Sequence, residues 1–492
     1  MKYLNDAGGR FKLPLKSDAG KTLCTLLWGD PLHELARDGD RVQVRARRRI
    51  GWLPASAVGT QGDNDDKGLL EIYVIDVGQG DAVLMRTPHD DAWHLIDGGI
   101  RASAQMTQKG AANFVRWKFI DDLMLDRVRL ASMILNHPDA DHYGGLIDVL
   151  SGALPDGRSF AVEVDRFWHC GIGRFASGAA QGETRADLST TPMPNPGYGI
   201  KANGRFIVEL LNGKGDFRQT GRPFTGDFAV LAALVGAVPK TVRHLSQRSG
   251  WLSGYPPTEG AVAIQVLGPI QERLAGGGHG LRDLGSDSIT RNGHSVVLRA
   301  DYGQARFLLT GDLNTASQRL LLSFQAAGQF NVDVAKGCHH GSDDIDLRFV
   351  RAMAARATVI SSGDNEDYAH PRPRILGASA RYGRESRSAS GEVMPPLLYS
   401  TELARSVGLD FARRVRTTAS PHGFFAPDAL QVGFDASASG SYRRLSWLPM
   451  ATDLVYGLVN VRSDGRRILC ATMKEGSSDF DLQVFKAGVD AV

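Results

Sequence analysis

The sequence predicts an α/β protein whose main unit is a four-layer αββα sandwich, preceded by a small all-β unit. Three observations predict it. Short apolar strand candidates come first and strand–helix alternation follows, the order of two packed sheets rather than of a doubly wound one. The character of the chain changes abruptly across a polar stretch, TQGDNDDKG, at residues 60–68. Histidines and aspartates recur directly after apolar strand candidates, which is where a scaffold converges such groups at one sheet edge.

The bulk properties bound this reading. A length of 492 residues exceeds one ordinary domain. The 42% hydrophobic and 23% charged composition is that of a globular protein, and 57 glycines suit many turns and insertion loops. A formal net charge of +3 excludes a uniformly basic nucleic-acid binder and leaves only local patches. Cys24, Cys170, Cys338 and Cys470 are scattered without a CxxC pair and read as reduced thiols. The opening MKYLNDAGGRFKLPLK holds no apolar signal core. The richest apolar stretch, residues 228–238, is about half of the ~20 residues that a spanning helix needs. The expectation is a cytoplasmic protein with no membrane association.

Residues 1–60 read as the small β-barrel. In DRVQVRARRRIGWLPASAV apolar and polar residues alternate up to Gly51-Trp52. That pair, followed by a small-residue turn, resembles the closing strands of bacterial Src-homology-3-like barrels. The resemblance implies binding of a protein partner, peptide or cell-wall fragment, or packing against the rest of the chain. Arg45, Arg47, Arg48 and Arg49, with Arg41, offer contacts to nucleic-acid phosphates. The ordinary alternative is a solvated hairpin edge, where charge discourages strand pairing.

Residues 61–68 read as a linker and 69–492 as the catalytic unit. Strands are expected at EIYVIDV, DAVLMRT and AWHLIDGG, then a helix around 110–124 and the strand RLASMILN. Stretches at about 170–260, carrying some helix, and about 378–450 read as insertions. The hairpin LVYGLVNVRSDGRRILCATM closes the unit.

The densest chemistry is ILNHPDADHYGGL, residues 134–146. A strand ending at Asn136 delivers His137, Asp139, Asp141 and His142 on a loop, followed by a Gly144-Gly145 turn. Imidazole and carboxylate are the ligands of hydrolytic metals. Downstream, FLLTGDLN places Asp312 after a strand, VDVAKGCHHGS places His339 and His340, and VISSGDNEDYAHPRP places His370. Upstream, HLIDGG places Asp97. Each alone is an ordinary turn former or a satisfied histidine; together they mark five strand ends.

In this order the motifs resemble metallo-β-lactamase-fold hydrolases, and among them the soluble catalytic domain of the ComEC competence DNA-uptake family. VIDVGQGDAVLM (74–85), LIDGG, FLLTGD, AKGCHHGS and His370-Pro371 carry the resemblance, over roughly residues 69–375 and 453–485. It implies that His137 and Asp139 hold one divalent metal, Asp141 and His142 a second, and that Asp312 bridges. One more histidine completes the set, with His340 and His370 competing. His294, in RNGHSVVL, stands where many relatives place another ligand. Asp97 orients the metal loop rather than ligating. Asp139 replaces the imidazole of HxHxDH, an exchange expected of the ComEC branch, which hardens the site and tilts it from zinc toward manganese.

Two divalent ions roughly 3.5–4 Å apart hold a bridging hydroxide and neutralise charge on both attacking and leaving oxygens, so no Ser or Cys nucleophile is needed. Cys338 then packs rather than reacts. Asp141, His339 and His340 are the candidate catalytic groups, with His339, His340 or Lys336 serving the leaving oxygen; Lys336 is also a candidate nucleic-acid contact. The expected function is a two-metal nuclease or phosphodiesterase acting on nucleic acid. The alternatives are hydrolysis of a small ester, thioester, lactone, lactam or nucleotide signal, and a regulatory or scaffolding module with structural metals.

Overall fold

Apolar strands that are buried on both faces set the architecture. Along Leu70–Val74, the side chains of Leu70, Ile72 and Val74 enter one core while Tyr73, with Ile75 beyond it, enters another. Successive side chains of a strand point to opposite faces, so a continuous apolar run requires a layer on each side. The computed structural model describes the chain apart from residues 7, 61–67, 106, 219–221, 364–369, 389–390, 475–476, 489–492 and, three short strands excepted, 403–456. The expected linker, Gly68 excepted, and much of the second expected insertion therefore lie outside the described residues.

In spatial order the first sheet runs Thr241–His244, Val162–His169, Val128–Leu135, Ala92–Ile96, Val83–Thr87, Leu70–Val74, Val459–Ser463, Arg467–Met473 and Phe480–Lys486. The second runs Ala263–Gly268, Val297–Tyr302, Ala305–Leu309, Val334–Lys336, Ala357–Ile360 and Leu397–Ser400. Ile72, Ile96 and Val461 of the first sheet meet Ile264, Phe307 and Val359 of the second in one core. Helices Ala111–Arg116, Ala140–Ser151 and Gly226–Ala237 cover the outside of the first sheet. Helices Thr315–Phe324, Leu347–Met353 and Pro373–Tyr382 cover the second. The four layers expected from the sequence are present.

The 170–260 stretch differs from a plain insertion. It carries the helix Gly226–Ala237 but also returns Thr241–His244 to the edge of the first sheet, parallel to Val162–His169. Two of its other strands, Thr184–Leu188 and Asn203–Ile207, join Gln271–Arg273 and His279–Arg282 in a small sheet beside the core. Likewise Leu397–Ser400 of the second stretch extends the second sheet.

Residues 2–59 form a seven-stranded sheet with a core of its own, including Leu4, Leu15, Leu26, Val42, Val44 and Leu53. Phe11, Leu27 and Trp28 then pack on Leu469, Ala471 and Phe480 of the closing strands. Arg462 is buried in this contact, paired with Asp30 at 2.8 Å and donating to the Trp28 carbonyl. Among the described residues no helix is long and apolar enough to cross a membrane.

Candidate metal centre

Strands of one polarity from both sheets end at a common rim. The chain leaves Leu70–Val74 toward Gln79 and Asp81, Ala92–Ile96 toward Asp97, and Val128–Leu135 toward His137. From the second sheet it leaves Ala305–Leu309 toward Asp312, and Val334–Lys336 toward His339 and His340. Main-chain bonds stitch these turns together: Asp81 N–H to the Asp141 carbonyl (3.2 Å), Gly98 N–H to that of His142 (2.8 Å), and Gly145 N–H to that of Gly99 (2.9 Å).

One local expectation is corrected. Gly144-Gly145 is not a turn, and Asp141 and His142 do not ride a free loop; all four lie in the helix Ala140–Ser151. A Cβ on Gly145 would stand 1.9 Å from the Gly98 carbonyl oxygen. The glycine is there to let the helix lie against the Asp97–Gly99 backbone, a tertiary demand that local turn chemistry does not reveal. Asp97, His339 and His340 adopt φ of 56°, 47° and 51°. Non-glycine residues in this region cost about 1 kcal/mol or more each and concentrate at functional sites.

Asp312 is the hub. Its Oδ2 lies 3.0 Å from His340 Nε2, 3.2 Å from His142 Nε2, 3.8 Å from His339 Nε2 and 4.0 Å from His137 Nε2. Asp141 Oδ2 is 3.4 Å from His340 Nε2. Ligand atoms of Asp141, His142, Asp312 and His340 all fall within 4.8 Å of one another, within reach of a single cation. His137 and Asp139 adjoin them, Nε2 to Oδ2 at 3.8 Å. The donor set fits divalent ions. His142 Nε2, His340 Nε2 and Asp312 Oδ1 are buried and crowd one another without a well-formed hydrogen bond, an arrangement costly for polar atoms unless a ligand joins them.

Behind the cluster, carboxylates aim the imidazoles. Asp97 Oδ2 lies 2.7 Å from His142 Nδ1, and its Oδ1 accepts the Asn136 N–H at 2.8 Å. Asp81 Oδ1 lies 3.3 Å from His340 Nδ1, and Lys336 pairs with the other oxygen of Asp81. In each case Nδ1 is engaged and Nε2 faces Asp312.

The electrostatics follow. Burial pushes Asp97 up to about 6, against the pull of His142. Burial and the neighbouring His142 drive His137 down to about 4, so it is neutral and ready to ligate. Burial disfavours charge on His142 and His340, but Asp312 with Asp97 or Asp81 outweighs it and raises both. Burial would raise Asp141 and Asp312, yet the histidines around them hold both low.

The other expected residues are distributed as follows. His370 stands at the periphery, its ring 6.1 Å from that of His339 and 6.5 Å from that of His340, so His340 is the histidine in the tight group. His294 is turned away: its Nε2 is 2.6 Å from the Arg282 carbonyl on the small sheet. The next residue takes the inward place, Ser295 Oγ lying 3.3 Å from His137 Nδ1 and accepting the Asp312 N–H at 2.9 Å. Lys336 is buried on Asp81 and donates to the Gly311 carbonyl, which removes it from any surface contact. Cys338 is buried and its thiol is pushed up to about 11 by that burial.

The arginine run lies on strands of the small domain. Arg47 pairs with Asp30 and lies over the Phe480 ring, Arg48 reaches Asp121, and Arg41 pairs with Asp38. Arg45 and Arg49 lie on adjoining strands of that domain. Two other arginines do reach the site: Arg291 Nε lies 2.6 Å and Arg174 Nη1 3.3 Å from Asp139 Oδ1. These, with Asp81, Gln79, Asn292 and Ser295, escape sequence reasoning. Only the VGQGD segment carried a local signal, and it named no role.

No protein-family model matches the chain. ComE operon protein 3 of Bacillus subtilis (strain 168) is 29% identical to it over 105 residues, 21% of this chain and 13% of that one. Competence protein ComA of Neisseria gonorrhoeae is 32% identical over 104 residues, 21% of this chain and 15% of that one. The similarity thus spans only a small part of either relative. Among solved structures, the metallo-β-lactamase fold protein YhfI from Bacillus subtilis superposes over 68% of this chain and 98% of its own, with a TM-score of 0.32 and 9% identity. Tm1679, a metal-dependent hydrolase of the β-lactamase superfamily, does so over 64% and 93%, with a TM-score of 0.31 and 13% identity.

Proposed function

We propose that the chain is a metal-dependent hydrolase of the metallo-β-lactamase kind, acting as a two-metal phosphodiesterase or nuclease. The observation that carries this reading is the convergence of Asp141, His142, Asp312 and His340 from three separate chain segments onto one cation-sized space. In this reading Asp141, His142 and His340, with Asp312, would hold one ion, and the neighbouring His137 and Asp139 would hold the other. The ions would supply an activated water and charge neutralisation at the reacting phosphorus. Asp81 and Asp97 keep the two histidine rings in place. His339, about a quarter exposed and 3.8 Å from Asp312, is the group positioned to give a proton to the leaving oxygen. Manganese suits the carboxylate-rich set better than zinc. The similarity to two competence proteins, limited as it is to about a fifth of the chain, favours nucleic acid as substrate.

The test incubates metal-stripped protein with single-stranded DNA, double-stranded DNA, RNA and bis(p-nitrophenyl) phosphate, with manganese or zinc restored. Polymer cleavage that disappears in Asp141→Asn is the expected result. Turnover of small esters alone moves the assignment to a small-molecule hydrolase. Metal uptake with no turnover of any substrate moves it to a structural metal site in a scaffolding module.

A further inference from the structure

The groups of the cluster divide into a sealed floor and an open mouth. His137, His142, Asp312 and His340 are buried, whereas Asp139, Asp141, His339, Arg174 and Arg291 keep part of their side chains in solvent. At the mouth two guanidinium groups meet one carboxylate oxygen, Asp139 Oδ1. Both guanidinium groups converge on that single oxygen, so their positive charge is gathered at one point beside the reacting centre. Arg291 gives only its Nε–H to Asp139, and its two terminal amino groups have no acceptor among the described residues. Arg174 adds a bond from Nη1 to the Pro138 carbonyl.

The two arginines come from independent supports. Arg291 sits on the helix Asp287–Gly293, which Asn314 anchors through the Ile289 carbonyl at 2.7 Å. Arg174 follows the strand Val162–His169, one residue before Phe175, which bridges to Phe224. A planar fork of donors held in place by a carboxylate matches the oxygens of a phosphate better than a mobile lysine does.

We propose that Arg174 and Arg291, gathered on Asp139, form the phosphate fork of this site and take the backbone phosphate next to the one cleaved. The inference rests on the phosphodiesterase reading and names where its polymer is gripped: at the mouth, and not on the run from Arg45 to Arg49.

The test compares oligothymidylate, which carries neighbouring phosphates, with bis(p-nitrophenyl) phosphate, which carries none. In Arg174→Ala/Arg291→Ala, with manganese present, KM for the oligonucleotide rises at least about tenfold more than KM for the small diester. Its dependence on log salt flattens by about 0.7, the slope of one neutralised phosphate on a single strand. Arg291→Lys, which keeps the charge and loses the fork, gives a smaller rise and guards against a folding defect in the double variant. Manganese content by elemental analysis stays at the wild-type value. Equal effects on the two substrates, or loss of bound manganese, overturn the proposal, the latter because the arginines would then serve only to set Asp139 for the ion. If wild-type protein cleaves neither substrate, the phosphodiesterase reading itself falls and the fork goes with it.

Discussion

Replacing Asp97 with asparagine isolates the device that aims His142. The carboxylate accepts two hydrogen bonds at once, from the Asn136 N–H at 2.8 Å and from His142 Nδ1–H at 2.7 Å, in a fully buried setting. An asparagine side chain has one oxygen and one amino group, so it satisfies one of these donors and presents a donor to the other. The unsatisfied buried group costs about 1–3 kcal/mol of stability. The His142 ring also loses the partner that fixes its tautomer. Loss of such a partner lowers metal affinity about 10- to 100-fold, or about 1.4–2.8 kcal/mol at 1.4 kcal/mol per decade. Competition of manganese between the protein and a fluorescent chelator measures the affinity, and urea denaturation of the metal-stripped protein measures the stability. Asp97→Asn binding manganese as tightly as wild type would refute the assignment of His142 as an aimed ligand.

Three further outcomes follow from the same geometry. Asp312 with Asp97 or Asp81 raises His142 and His340 above the unfolded histidine value of about 6.5. Their stabilisation of the metal-free protein is therefore complete below that pH and is lost as pH rises through the higher folded values. Thermal melts of stripped protein should drop as pH rises above about 6.5, and manganese should remove the slope by holding both rings neutral. Arg462→Met leaves buried Asp30 with its ion pair to Arg47, at 2.8 Å, and the Leu27 N–H, at 2.9 Å; the loss, seen by denaturation, lies toward the lower end of the about 3–5 kcal/mol typical of a broken buried pair. Gly145→Ala sets a methyl 1.9 Å from the Gly98 carbonyl, which the helix relieves only by moving. Melting and manganese affinity should both fall, the stability by about 1–3 kcal/mol.

What the sequence disclosed was whatever chain neighbours encode. Short apolar runs give the strands Val83–Thr87, Ala92–Ile96 and Val128–Leu135, and a polar residue after such a run falls at a sheet rim. That is why Asp97, His137, Asp312 and His340 were visible. What stayed hidden depends on packing between distant segments. Lys336 looks like a surface cation in VAKGCHH, yet it finds Asp81 of another strand end and is sealed. His294 and Ser295 are adjacent, and only the turn after the helix Asp287–Gly293 decides that Ser295 faces the cluster and His294 the buried Arg282 carbonyl. Arg174 and Arg291 carry no local signature, because their meaning is the shared carboxylate of Asp139. The Gly144-Gly145 pair misled because a close approach of backbones, and not a turn, selects glycine there.

The assignment stands or falls on cations at the strand-end cluster, and anomalous diffraction from crystals grown with manganese reads it directly. The expected result is a peak enclosed by Asp141, His142, Asp312 and His340, with a second beside His137 and Asp139. A manganese-saturated crystal with no anomalous density at the cluster, and these side chains paired with one another instead, would contradict it.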